Sequence, residues 1–86
     1  MYKSKTNFLS VIVKDRQGVV FDGTAASVSS KNTLGTFDIL SGHANFITLI
    51  SGFLIVDKGK LSEKTITLEK GILSVYENAV TVYLGI

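Results

Sequence analysis

The 86-residue chain has no cysteine, no proline and no tryptophan, and it carries a single histidine. Without thiols there is neither a disulfide framework nor a thiolate metal centre. Without proline no φ angle is fixed by a ring. Any exposed sheet edge must then be protected by lysines, by short strands or by a bound partner. Charge of one sign is also scarce: nine basic residues against seven acidic give a net charge of +2, and Arg16 is the only arginine. There is no block of like charge and no basic face interleaved with aromatics, so the electrostatic footprint of a nucleic-acid binder is missing. Long apolar runs are absent too. The longest, "FITLISGFLIV", is split by Ser51-Gly52 and is shorter than the roughly 18 residues a membrane-crossing helix needs. The N-terminal "MYKSKTNF" is basic but leads into no signal-peptide core. The expectation is a soluble, intracellular protein with no direct membrane insertion and no nucleic-acid partner.

What is present is strand chemistry. With 45% hydrophobic residues the chain fits one small globular domain over residues 1–86. A domain this small buries only about 60% of its unfolded surface, so a permanent partner would add stability by mass action. "FLSVIV" is rich in the β-branched and aromatic residues that suit a pleated, half-buried surface. Thr65, Thr67 and Glu69 alternate with Ile66 and Leu68, the period of a sheet wet on one face. "KDRQG", "KNTLG", "KGK", "EKG" and "ENA" read as turns, Asp22-Gly23 as a bulge or bend, and Ser51-Gly52 as a break between strands. No amphipathic helical stretch interrupts this rhythm. The spacing predicts an all-β fold: a small antiparallel β-sandwich or flattened barrel of about eight to ten short strands.

Reactive chemistry finds little to work with. Zinc needs three or four converging ligands, and one His without Cys supplies no recognisable set; Asp38, five residues before His43, permits a contact without demanding one. Ser41 lies two residues from His43, but "LSGH" lacks the strained elbow of a nucleophilic serine. The carboxylates fall mostly at turns and wet strand positions, and no glycine-rich phosphate loop opens a helix. We therefore expect no catalytic residue, no cofactor and no metal. The segment "FDILSGHANFITLISG" (residues 37–52) remains to be explained. Its Phe46, Ile47, Leu49 and Ile50 are either a core strand or, on one side, a docking face, because a thin sandwich cannot easily hide so much apolar surface.

That segment resembles the epsilon subunit of F-type ATP synthases, in its N-terminal β-sandwich domain. It keeps Ile39, Gly42, His43, Ala44, Thr48, Leu49 or Ile50, and Gly52 of the family pattern G-I-x-P-G-H-A-P-L-L-T-x-L-x-x-G. "FLSVIVKDRQGVVFDGTAASV" is similar to the family's opening strands, and "KGILSVYENAVTVYL" to its closing G-G-x-x-x-V-x-x-N-x-V-T-V-L. Ser41, Asn45 and Ser51 stand where prolines are usual, "SSKNTLGTF" replaces an acidic glycine-rich loop, and Lys70 replaces the first of two glycines. The resemblance implies a noncatalytic central-stalk subunit, peripheral on the cytoplasmic face of an energy-transducing inner membrane. Its gamma-facing residues would be Gly42, His43, Ala44 and Thr48. Those facing the ring of c subunits would be Leu34, Gly35, Thr36 and Phe37. Nucleotide binding and inhibition of hydrolysis reside in a helical hairpin that follows this domain in the family, and are expected to be lost from this sequence. The expectation from another class is a small β-sandwich module that binds a peptide or a carbohydrate.

Overall fold

The structure, a computed structural model, describes residues 8–85. Expectations for residues 1–7 and 86, including the reading of "MYKSKTN", lie outside the described residues. Seven strands form: β1 (Leu9–Asp15), β2 (Gly18–Ala25), β3 (Ser27–Asn32), β4 (Gly35–Leu40), β5 (Phe46–Val56), β6 (Lys64–Tyr76) and β7 (Ala79–Leu84). They lie in one sheet ordered β2-β1-β7-β6-β5-β3-β4. Every neighbouring pair is antiparallel except β1 and β7.

Period-two patterning builds the interior. Leu9, Val11 and Val13 of β1 alternate with outward Ser10, Ile12 and Lys14, and Val80 and Val82 of β7 alternate with Thr81 and Tyr83. The inward residues join Val28, Ile39, Leu54, Val56, Leu73 and Val75 in one cluster. Its members come from both ends of the strand order, so the sheet is folded over on itself. Two layers back onto a common core, as in a β-sandwich.

The expected eight to ten short strands are seven, because two of them are long. β5 runs through 11 residues and β6 through 13. "EKG" is not a turn, and Ser51-Gly52 does not end a strand. Both belong to one bulge: Ile50 pairs with Gly71 and Gly52 with Leu68, so Ser51 alone faces Glu69 and Lys70. An extra residue bends a ladder without ending it. Here it also shifts which β6 side chains point inward, from Leu73 and Val75 on one side to Ile66 and Leu68 on the other. Two glycines make the bend possible. Gly52 has φ +87°, a left-handed conformation that suits glycine. A Cβ on Gly71 would sit 2.9 Å from the carbonyl oxygen of Tyr83 on β7.

The bulge expected at Asp22-Gly23 also lies elsewhere. Val13 pairs with Phe21 and Lys14 with Val19, which leaves Val20 as the extra residue, while Gly23 pairs regularly with Val11. Gly23 instead lies beside the Phe21 ring, whose Cζ is 3.4 Å from where a Cβ would stand.

Asp57 fastens the far end of β5. It is buried, with its backbone at φ +57°. Its carboxylate accepts from the Ser62 hydroxyl (2.7 Å) and from the Ala26 amide (2.6 Å), which lies at the β2–β3 junction. Its own amide donates to the Ser27 carbonyl (2.9 Å). The Ser62 hydroxyl, followed by the amides of Ala26 and Ser27 and by the Lys60 charge, holds the Asp57 carboxyl below its ordinary value of 3.8, against the opposing effect of burial.

Two outcomes follow. Gly71→Ala should cost about 1–3 kcal/mol, as overpacking against rigid backbone does; urea denaturation with an unchanged midpoint would contradict the close approach at β7. For Asp57 the folded pKa is depressed. Its stabilisation is therefore complete above the ordinary value and is lost as pH falls through the lower folded one. Asp57→Asn should be less stable than the parent by about 1–3 kcal/mol at neutral pH, with the gap closing on acidification. A gap that stays constant down the acid limb would remove the carboxylate from this role.

Candidate functional site

Three of the four residues expected on the gamma-facing side sit together. Gly42, His43 and Ala44 are exposed in the short crossing from β4 to β5. This corner holds its shape without proline because the β6–β7 turn pins it. The Gly42 amide donates to the Asn78 side-chain oxygen (2.7 Å), and the Asn45 oxygen accepts from the Glu77 amide (2.8 Å). Glu77 and Asn78 both have positive φ, 49° and 65°, the conformation of a tight two-residue hairpin whose twist matches the strands. The His43 amide closes the corner by donating to the Leu40 carbonyl (3.1 Å).

His43 itself is exposed, and its Nδ1 lies 2.8 Å from the Ala44 carbonyl oxygen. A carbonyl only accepts, so Nδ1 carries a proton in this contact. The ring packs on Phe46 with centroids 5.0 Å apart. Phe46 in turn meets Phe37 edge-on at 6.0 Å. A line of three rings thus runs from the corner to β4.

Thr48 stands apart from that trio. It is on the inward side of β5, half-buried, and its hydroxyl accepts from the Asn32 amide group (3.1 Å). It ties β5 to the β3–β4 hairpin, where the second group of expected site residues lies. At that hairpin Leu34 is 94% exposed and its amide donates to the Asn32 side-chain oxygen (2.9 Å), with Gly35 and Thr36 exposed beside it. Phe37 turns inward against the core.

The four apolar residues of the opening question divide by alternation. Phe46 and Ile50 face inward, whereas Ile47 and Leu49 project from the outer face, 72% and 65% exposed. Leu49 pairs with Ile72 across β5–β6, and Ile72 with Tyr83 across β6–β7, which makes an apolar stripe on one outer face. The Lys14 ammonium stands 5.7 Å from the centre of the Tyr83 ring. Sequence reasoning missed Ile72 and Tyr83, since only the register sets them beside Leu49. Counting by twos from a buried Ile50 would have separated Ile47 and Leu49 from the core.

Two depressions flank these groups. One of about 670 Å³ lies beside the corner, lined among others by Phe8, Ser10, His43, Asn45 and Glu77. The other, about 450 Å³, sits at the bulge between Asn32, Thr33, Leu49, Ile50, Ser51 and Lys70. Among the described residues no three metal-ligating side chains converge. No helix in them is long and apolar enough to cross a membrane.

Residues 8–84 match the family described as the ATP synthase delta/epsilon chain β-sandwich domain. The chain is 33% identical over 76 residues to the ATP synthase epsilon chain of Endomicrobium trichonymphae, covering 88% of this chain and 55% of that one. It is 28% identical over 79 residues to the epsilon chain of Clostridium botulinum strain Eklund 17B, covering 91% and 58%. It therefore spans little more than half the length of these curated relatives. Among solved structures it superposes on a chain of the Euglena gracilis mitochondrial ATP synthase with a TM-score of 0.84 at 13% identity, covering 95% of this chain and 53% of that one. A chain from the central stalk and c-ring of the Tetrahymena thermophila mitochondrial enzyme gives 0.72 at 15% identity, covering 94% and 66%. At such identities the superpositions speak for the fold alone. The family match spans every strand, and with it the chain belongs to the ATP synthase delta/epsilon family, of which residues 8–84 are the β-sandwich domain.

Proposed function

We propose that this chain serves as a noncatalytic central-stalk subunit of a proton- or sodium-translocating F-type ATP synthase. In this reading the sandwich docks on the gamma subunit with the corner at residues 42–44 and the neighbouring outer face of β5. Its β3–β4 hairpin, residues 34–37, meets the ring of c subunits. The subunit is peripheral, on the cytoplasmic face of the energy-transducing membrane, and it couples ring rotation to ATP synthesis by contact. One observation carries the reading: the family match covers the whole fold, and within that fold an apolar outer stripe has no partner among the described residues. Apolar surface gathered on one sheet face is the mark of an interface.

The physics of the task is consistent with the architecture. A coupler that transmits torque must not open locally, and a densely packed sandwich closed by non-local pairing resists such opening. The corner offers hydrogen-bonding groups at fixed positions, including the imidazole of His43.

Co-purification of the chain with the gamma subunit of its own enzyme tests the reading. Ile47→Asp should weaken that complex at least about tenfold, since burying an isoleucine side chain is worth about 1.5–3 kcal/mol. The circular dichroism should remain that of a β protein, because Ile47 lies outside the core. Failure of the parent chain to bind gamma, or equal binding by the variant, would contradict it.

A further inference from the structure

Resting on the central-stalk reading, we propose that Asn78 is the positioning residue of the gamma-docking corner: its side chain holds residues 42–44 in the shape that docks, without itself touching gamma. Two bonds tie the corner to the β6–β7 turn, and they are reciprocal. At one end the Gly42 amide donates to Oδ1 of Asn78 (2.7 Å); at the other the Glu77 amide donates to Oδ1 of Asn45 (2.8 Å). His43 and Ala44 are the two residues between these pins.

The two pins are not equal. Asn45 runs straight into β5, where Phe46 pairs with Val75, so the ladder fixes that end whether or not the side chain bonds. Gly42 lies two residues beyond the end of β4 at Leu40. Among the described residues the other bonds of residues 41–43 stay local, from the His43 amide to Leu40 and from its ring to Ala44. The Asn78 side chain is therefore the tie that sets this end of the corner against the rest of the sandwich.

Asn78 is itself anchored. Its carbonyl accepts from the Ser10 amide near the start of β1 (2.9 Å), and the residue is half-buried whereas Glu77 beside it is exposed. The turn alone does not account for asparagine here. At φ +65° the position suits glycine equally well, and glycine is favoured at the second place of such a hairpin turn. What glycine lacks is the acceptor. Holding a binding segment in its bound shape lowers the ordering cost of association, so the Oδ1 of Asn78 should be visible in affinity.

Asn78→Gly and Asn78→Asp separate the roles, since the first keeps the turn and removes the acceptor while the second puts an acceptor back. For each variant, amide hydrogen exchange is followed by NMR and affinity is measured for the gamma subunit of the chain's own enzyme, at neutral pH. In Asn78→Gly the Gly42 amide should exchange at least about fivefold faster and gamma should bind about three- to tenfold more weakly, the scale of one hydrogen bond. The amides of the β6–β7 ladder should exchange as in the parent. Asn78→Asp should return both the Gly42 protection and the affinity toward the parent's values. Gly42 exchange unmoved by Asn78→Gly, or unchanged gamma binding once Gly42 is freed, overturns the proposal alone. An equal loss of protection along the β6–β7 ladder does so too, because Asn78 would then serve general stability. Failure of Asn78→Asp to restore either quantity also overturns it; protection regained without affinity would place Asn78 in contact with gamma. No binding of the parent to gamma overturns the central-stalk reading and the docking role with it.

Discussion

The two-layered structure hangs on one irregularity, the bulge that sets Ser51 of β5 against Glu69 and Lys70 of β6. A single seven-stranded sheet cannot bury both ends of its apolar face unless it turns back on itself, and β5 and β6 are the strands that turn. The bulge supplies the bend, and Gly52 and Gly71 supply the space for it. Leu54 and Val56 then cover the same interior as Leu9, Leu73 and Val82. With no disulfide and no proline, the fold depends on how tightly these strands close. Asp57 contributes from the opposite end of β5 by bonding the β2–β3 junction.

The same bend arranges the surfaces. Because β5 keeps its alternation up to Ile50, Ile47 and Leu49 stay outside while Phe46 and Ile50 go in. Because the strand then swings away, the β3–β4 hairpin comes to lie over the bend, where Asn32 reaches Thr48. The rings of His43, Phe46 and Phe37 run between the corner and β4. The lone histidine is thus a solvent-facing cap on that line of rings, positioned by the Ala44 carbonyl. Its geometry answers the question posed by its isolation in the sequence without calling on reactivity.

Much of this was legible before any coordinates. The all-β class, the turns near Gly18, Leu34 and Asn78, and the wet face of Thr65 and Thr67 follow from period and turn chemistry alone. The strand count did not, for a physical reason. Glycine beside polar residues reads as a turn when only local propensity is available, and whether Lys70-Gly71 ends a strand or bends one depends on the carbonyl of Tyr83 opposite it. Asp22-Gly23 misled similarly, since Gly23 pairs regularly with Val11 and the extra residue of that ladder is Val20. At the candidate site, the exposed trio at residues 42–44 was visible as a motif. The inward turn of Thr48 and Phe37 was not, because burial of a single side chain is decided by neighbours far away in sequence. The stripe through Ile72 and Tyr83 was hidden for the same reason: register across three strands is a tertiary property.

Stiffness across the bend is the claim on which the proposed coupling role rests, and native-state hydrogen exchange addresses it most directly. Amides of β5 and β6 on both sides of the bulge, those of Leu49 and Leu73 together with those of Leu54 and Ile66, should exchange through one common opening whose free energy equals that of global unfolding. If the β3–β4 side, with the later half of β5, opens at a distinctly lower free energy than the β1–β7 side, the bulge is a hinge and the account of a rigid coupler is wrong.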